Sequence, residues 1–479
     1  MKKSKFNNEI IQFLSLLILT TIVLYYTPSI VQTVYFFSLL FLFWKSKKDY
    51  FWLAFTFVIV KDIGGIFYEQ TLNILKVGPL ELSFLFLFTI VAFVKQFGKH
   101  KKINFLLRKP FKVYLFYLFF LMYLGFLIYG NDGGGKSGLR YYFTTSFFLI
   151  YMLNIYSVPR ILDSMQKVEL FAKLIFVCLF INLLGQIFHI TNGAPFYAKF
   201  GQVVVDRPDI NYMDKLVRPV WGHTIIFLGI ISAMFFYLTK NKTFKNNYLL
   251  VIILVSLVSV FIGATRGWII ALTSLLLGFL FLNKINKSIS ILIFSTAFFA
   301  ILFSTSSIVR IQSTKVFDRL TTLEKLVGGD ATAGGTNLRL TTRHNKVMNV
   351  FYKYPVFGGG FSTEAMKKND MHVGNQNILM SGGIIGYLII VYFWMYYIYK
   401  VLIIRKKLSI NNKYRSGLYF MIVILFATIL IHSSSTSLYG YLAYIRGKIF
   451  IIAILFTILN QFLLSAIEYE QKVISKKQL

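Results

Sequence analysis

A small set of residues in this chain has the types and spacing to do chemistry: His372, Arg266, Arg339, Arg343, Asn375 and Asn377. His372 sits in MHVGNQNILMSGGIIGYL, residues 371–388, just ahead of an apolar run. A histidine titrates near neutral pH and can take or give a proton. Asn375, Gln376 and Asn377 follow it with amides able to cap a helix or hydrogen-bond sugar hydroxyls. Arg266 lies in TRGW, 265–268, between two apolar runs. An arginine in or beside lipid usually faces a cavity, a partner or a substrate path, and its planar fork suits phosphate. Arg339 and Arg343, in NLRLTTRHNKVMNVFYKYPVFGGGFST (337–363), are four residues apart and share a helix face, with Lys346 close by. The combined chemistry is proton transfer next to a cationic receptor for phosphate.

Each residue also has a plainer explanation. Arg266 could snorkel to the headgroups with Trp268 as a belt residue. Arg339 and Arg343 could belong to a solvated basic face, and His372 could be an idle surface histidine. The remaining histidines give weaker signals: His100 in a basic gap, His189, His223 and His432 at the ends of apolar runs, and His344 beside Arg343. GNDGGGKS, 130–137, satisfies the phosphate-loop pattern, but it joins two apolar runs rather than a strand and a helix, so a flexible turn is expected. No serine–histidine–acid set and no carboxylate pair stands out.

Residues of these kinds need elements to hold them, and the composition says which. Of 479 residues, 56% are hydrophobic, 18% aromatic and only 14% charged. Soluble domains are roughly 25% charged, so the chain reads as a membrane protein. Apolar runs of helical length recur throughout, whereas strand-length alternation does not, which argues for helices over a barrel. The formal net charge of +33 would suggest nucleic acid in a soluble chain. Here the basic residues sit in short gaps between apolar runs, so no nucleic acid partner is expected and membrane lipids are. The single cysteine, Cys178, rules out an internal disulfide and a cysteine metal site. No metal or cofactor is expected.

Candidate spans fall near 9–27, 30–44, 50–66, 80–97, 111–130, 141–157, 168–190, 220–239, 248–264, 267–283, 288–306, 376–401, 416–432 and 447–465. The expected fold is an all-α polytopic transmembrane bundle of about 12–14 spans, forming one domain over 1–479. Placing the N-terminus inside makes the inner gaps FWKSKKD, GKHKKINFLLRKPFK, TKNKTFKNN, LNKINK and RKKLSINNKYR, which are densely basic. The opposite gaps are polar, glycine-rich or mixed in sign. Both termini are therefore expected in the cytoplasm. Two outer gaps are long, 191–219 and 307–375, and the second should be a large, partly helical extracytoplasmic loop with a helix ended by Pro355 and Gly358–Gly360.

Taken in order, four segments resemble the O-antigen ligase and O-antigen polymerase superfamily. HVGNQNILMSGGIIG (372–386) is similar to its histidine-led segment opening a late span, and YPVFGGGFST (354–363) to its proline–glycine turn. The arginine-bearing stretch before that turn and the upstream TRGW also have counterparts, so the likeness covers residues 250–400. Val373 departs from the family's frequent asparagine, and His344 or a neighbour replaces its usual aromatic, leaving either Arg339 or Arg343 as the family's arginine.

The resemblance implies a bacterial cytoplasmic-membrane glycosyltransferase with an extracytoplasmic active site. Its donor would be an undecaprenyl-diphosphate-linked oligosaccharide. A polymerase passes the glycan to another lipid-linked repeat unit and a ligase to a lipid A-core sugar. A chain-length regulator would be a further partner of a polymerase. In this reading Arg266 and His372 are catalytic, while Arg339, Arg343, Asn375 and Asn377 bind diphosphate or glycan. Nothing in the sequence marks a lipid A-core acceptor, which favours polymerase. The rival expectation is a transporter or flippase of lipid-linked oligosaccharide, for which Lys173 inside an apolar run is the best argument.

Overall fold

The computed structural model describes residues 2–61, 63–67, 73–77, 80–99, 103–127, 148–192, 195–196, 219, 221–263, 265–283, 342–360, 362–370, 372–410, 412–436, 438–440 and 445–478, and scattered positions from 297 to 317. Arg339, the segment 130–137, almost all of 191–219 and most of 288–341 lie outside the described residues.

The described chain is overwhelmingly helical. In order it runs α1 (Lys2–Tyr26), α2 (Ser29–Lys45), α3 (Asp49–Val60), β1 (Asn73–Val77), β2 (Leu80–Ser83), α4 (Phe84–Phe97), α5 (Arg108–Leu127), α6 (Phe148–Ile161), α7 (Met165–Asn192), α8 (His223–Leu238), α9 (Asn246–Gly263) and α10 (Arg266–Leu282). It continues with α11 (His344–Lys353), α12 (Thr363–Lys368), α13 (Gly374–Lys407), α14 (Arg415–Ile431), a π-helical turn (His432–Thr436) and α15 (Ile445–Gln478). Among the described residues six helices are long and apolar enough to cross a bilayer, within α1, α7, α9, α13, α14 and α15. Five shorter ones, α2, α3, α4, α8 and α10, are also apolar.

Three expected spans take another form. The run 50–66 is helical only to Val60, because the chain turns through Gly64 and Gly65, both at positive φ. The run 80–97 begins as strand β2, antiparallel to β1, and turns helical at Phe84 under a Ser83 cap that accepts from Phe86 N–H. The run 376–401 belongs to a longer helix broken at Gly383, where φ is 61° and ψ −162°.

The contacts divide the chain into two compact units. The first comprises 1–101, 160–265 and 279–318. In it α8 is buried on every side from Ile225 to Tyr237, the pattern of a helix enclosed by protein, with α7 and α9 packed around it. Buried charges collect where α1 and α3 begin and α4 ends. Asp49 pairs with Lys95 and Lys99 at 2.7 and 2.6 Å, and Glu9 pairs with Lys48 at 2.7 Å. Alternating spans would put those three ends on one side.

The second unit comprises 102–159, 266–278 and 319–479. Its central helix is α15, almost wholly buried from Ile449 to Leu463. Phe393 of α13 packs on Phe456 of α15 and Phe111 of α5 at 4.8 and 5.4 Å between ring centres. Glu470 of α15 takes hydrogen bonds from Ser409 and Asn412 in the basic gap after α13.

Candidate active site

The site in the second unit is built on the break in α13. In an unbroken helix Met380 C=O would accept from Ile384 N–H, and Ser381 C=O from Ile385 N–H. Here a turn intercalates. Gly359 N–H donates to Met380 C=O at 2.6 Å and Gly360 N–H to Ser381 C=O at 2.8 Å. Ile384 and Ile385 N–H donate to Pro355 and Val356 C=O at 2.9 and 3.2 Å. The groups released by the break are thus satisfied, which a polar backbone away from water requires. Both strands of this contact need glycine. A Cβ on Gly358 would lie 2.4 Å from the Ser381 backbone, and one on Gly383 2.3 Å from Val356 O. The quoted segments 354–363 and 372–386 are therefore one physical unit.

Helix α11 holds the turn in place. Its Val347, Met348 and Val350 are buried, and it packs along α13. It ends at Lys353, with Tyr354 N–H closing on Val350 and Phe351 C=O before Pro355, as the sequence leads one to expect. Lys353 and Glu364 clamp the two sides of the turn at 2.6 Å.

His372 lies just before α13 and is half-buried. Its loop is shaped by Asp370, whose Oδ1 accepts His372 N–H at 2.9 Å. The same oxygen lies 3.6 Å from Nη1 of Arg343, at the head of α11. Asn377 is fully buried, and its amide is committed to Asp370: Oδ1 accepts Asp370 N–H at 3.1 Å and Nδ2 donates to Asp370 C=O. It shapes the His372 loop and presents no free amide to a glycan. Asn375 turns the other way and donates to Ser433 Oγ at 3.1 Å. Gln376 reaches His344 Nδ1 at 3.5 Å.

Ser433 belongs to the π-helical turn, a local form that recurs at functional sites. Gly374 lies against it so closely that a Cβ would fall 2.0 Å from His432 O. His432 Nδ1 accepts from Tyr439 N–H at 3.1 Å, and buried Lys448 of α15 donates to Thr436 C=O.

Arg266 opens α10 in this same unit and is half-buried, with Thr265 Oγ1 donating to Gly263 C=O just before it. Further along, α10 packs through Gly278 on Val423 of α14. The structure thus brings His372, Arg343, Asn375 and Asn377 together, assigns Arg266 to the same unit, and does not describe Arg339.

Asp370, Ser433 and Lys448 were not selected from sequence. Asp370 carries a readable signal, since an aspartate two residues before His372 is placed for an Asx turn. Compared with known proteins, the chain matches no family model and no curated protein.

Proposed function

We propose that this chain is a membrane glycosyltransferase that polymerises or transfers undecaprenyl-diphosphate-linked glycan on the outer face of a bacterial cytoplasmic membrane. One observation carries the reading furthest: Asp370 joins the Arg343 guanidinium to the His372 loop beside a turn seated in a broken helix. A cation and a proton-transfer group are thus held by one carboxylate at the head of a span.

The chemistry is a substitution at the anomeric carbon. An acceptor hydroxyl oxygen forms the new C–O bond, and the bond from that carbon to the diphosphate oxygen breaks. His372 takes the hydroxyl proton, and undecaprenyl diphosphate leaves with the electron pair. Arg266 and Arg343, with Arg339, offset the charge that grows on departure, an electrostatic task that dominates many such reactions. Asn375 orients the acceptor from the edge of the π-helical turn. Attack opposite the leaving group inverts the anomeric centre. Of the two outcomes, polymerisation is favoured because no lipid A-core receptor is evident in the sequence.

A second reading has one observation in its favour. Discontinuous helices are the hallmark of many transporters, and α13 is discontinuous at Gly383. In transporters, however, the unwound backbone faces the cargo. Here its donors and acceptors are occupied by residues 355–360. The test is a strain lacking this chain: carrier-linked single repeat units denote a lost polymerase, long carrier-linked chains a lost ligase, and intermediates confined to the inner leaflet a lost flippase.

A further inference from the structure

The first unit holds a polar group that the proposed chemistry does not use. On α7, Asn182, Gln186 and His189 recur at intervals of four and three residues, so they line one face. All three are buried, Asn182 and Gln186 fully and His189 to 4% exposure. Asn182 is wedged between two glycines: its Oδ1 accepts Gly64 N–H at 3.1 Å and would lie 1.9 Å from a Cβ on Gly222. Past it, both amide atoms of Gln186 and both ring nitrogens of His189 meet no hydrogen-bonding group among the described residues. The His189 ring stacks on Trp221, 4.5 Å between centres and 9° from parallel. His223, at the start of α8, closes against Gly263 at the end of α9.

Such groups are costly to bury and usually mark a ligand path when they sit at membrane depth. Their chemistry selects the ligand. An amide and a neutral imidazole each both donate and accept, as sugar hydroxyls do, and an indole lies beside them. The face formed by Asn182, Gln186 and His189 carries no formal charge to pair with phosphate. With the N-terminus inside, it lies in the outer half of α7, next to the long gap 191–219.

We infer that Gln186 and His189, backed by Trp221, form a sugar-binding subsite within the first unit. This rests on the glycosyltransferase reading for its biological role and on the geometry of the first unit for its existence. The sugar could arrive free or attached to a lipid, since the same hydroxyls would be recognised.

The test uses the full chain in nanodiscs, titrated with glucose, galactose, N-acetylglucosamine and rhamnose, each free and as its octyl glycoside. Trp221 emission is read as the difference from the Trp221→Phe variant. A saturable change with at least one sugar is expected. Gln186→Met and His189→Phe should weaken it at least ten-fold, with a melting temperature at or above that of the parent. Response to free sugars assigns a soluble source, and response to glycosides alone a membrane-borne one. No Trp221-dependent change with any sugar in either form, or one untouched by both variants, overturns the subsite. His372→Ala should bind sugar as the parent does. If that variant also makes normal glycan in cells, the transferase reading fails while the subsite stands.

Discussion

Asp370 Oδ1 accepts the backbone N–H of His372 at 2.9 Å while lying 3.6 Å from the Arg343 guanidinium. One carboxylate oxygen thus couples the placement of a candidate base to a candidate phosphate receptor. Asp370→Ala removes both links, and glycan elongation should fall at least ten-fold. Asp370→Asn keeps an oxygen able to accept from His372 N–H but loses the charge, so it should retain an intermediate activity. Glycan length distributions from complemented deletion strains read both. Parent-like activity in Asp370→Asn would mean that the ion pair contributes nothing, and activity as low as that of Asp370→Ala that the hydrogen bond contributes nothing.

The seam between the turn and α13 gives a stability prediction. At Gly383 a side chain would face both a glycine-favouring backbone and Val356 O at 2.3 Å. The backbone strain alone is about 1–3 kcal/mol, so Gly383→Ala should lower the melting temperature clearly. Gly98 serves as control, because its Cβ would meet only Val94 O at 3.7 Å. Gly98→Ala should melt with the parent.

In the first unit, Asp49 should matter for folding and for nothing else. Its carboxylate receives Lys95 at 2.7 Å and Gln96 at 2.8 Å in a buried setting. Removing one partner of a buried pair costs about 3–5 kcal/mol, since the other charge is left uncompensated. Asp49→Ala should therefore reduce the amount of folded protein and its melting temperature. Activity per folded molecule should stay unchanged.

The proposed orientation can be read with thiol labelling. Native Cys178 is fully buried, which keeps it silent to an impermeant maleimide. Lys368→Cys, on the exposed part of α12, should label in intact cells. Ser475→Cys, exposed near the end of α15, should label only after permeabilisation. The reverse pattern would put the His372 loop in the cytoplasm and end the outer-face account.

Hydropathy made most of the fold legible. The expected runs 30–44 and 416–432 became Ser29–Lys45 and Arg415–Ile431, because residues with no polar alternative can only bury themselves or meet lipid. The hairpin at 73–83 was hidden by its short strands and by the apolar run that follows it. The break in α13 was hidden too: Gly382 and Gly383 look the same in a packed helix and in an unwound one, and only the bonds from 355–360 decide between them. At the candidate site, His372, Arg343, Asn375 and Asn377 were singled out by residue type, but their contacts depend on partners that the sequence does not name. Asn377 proved to be bound to Asp370 and Asn375 to Ser433. Gln186 went unnoticed, and His189 was set aside as a weaker signal at the end of an apolar run, because averaging over a span erases a polar face carried by one residue per turn.

The most direct test of the central claim is the carrier-lipid glycan profile of a deletion strain complemented with His372→Ala, and in parallel with Arg266→Ala, at matched membrane levels of protein. Both variants should accumulate single repeat units on the carrier and make no long chains. Long chains of normal length and amount from both would contradict the account.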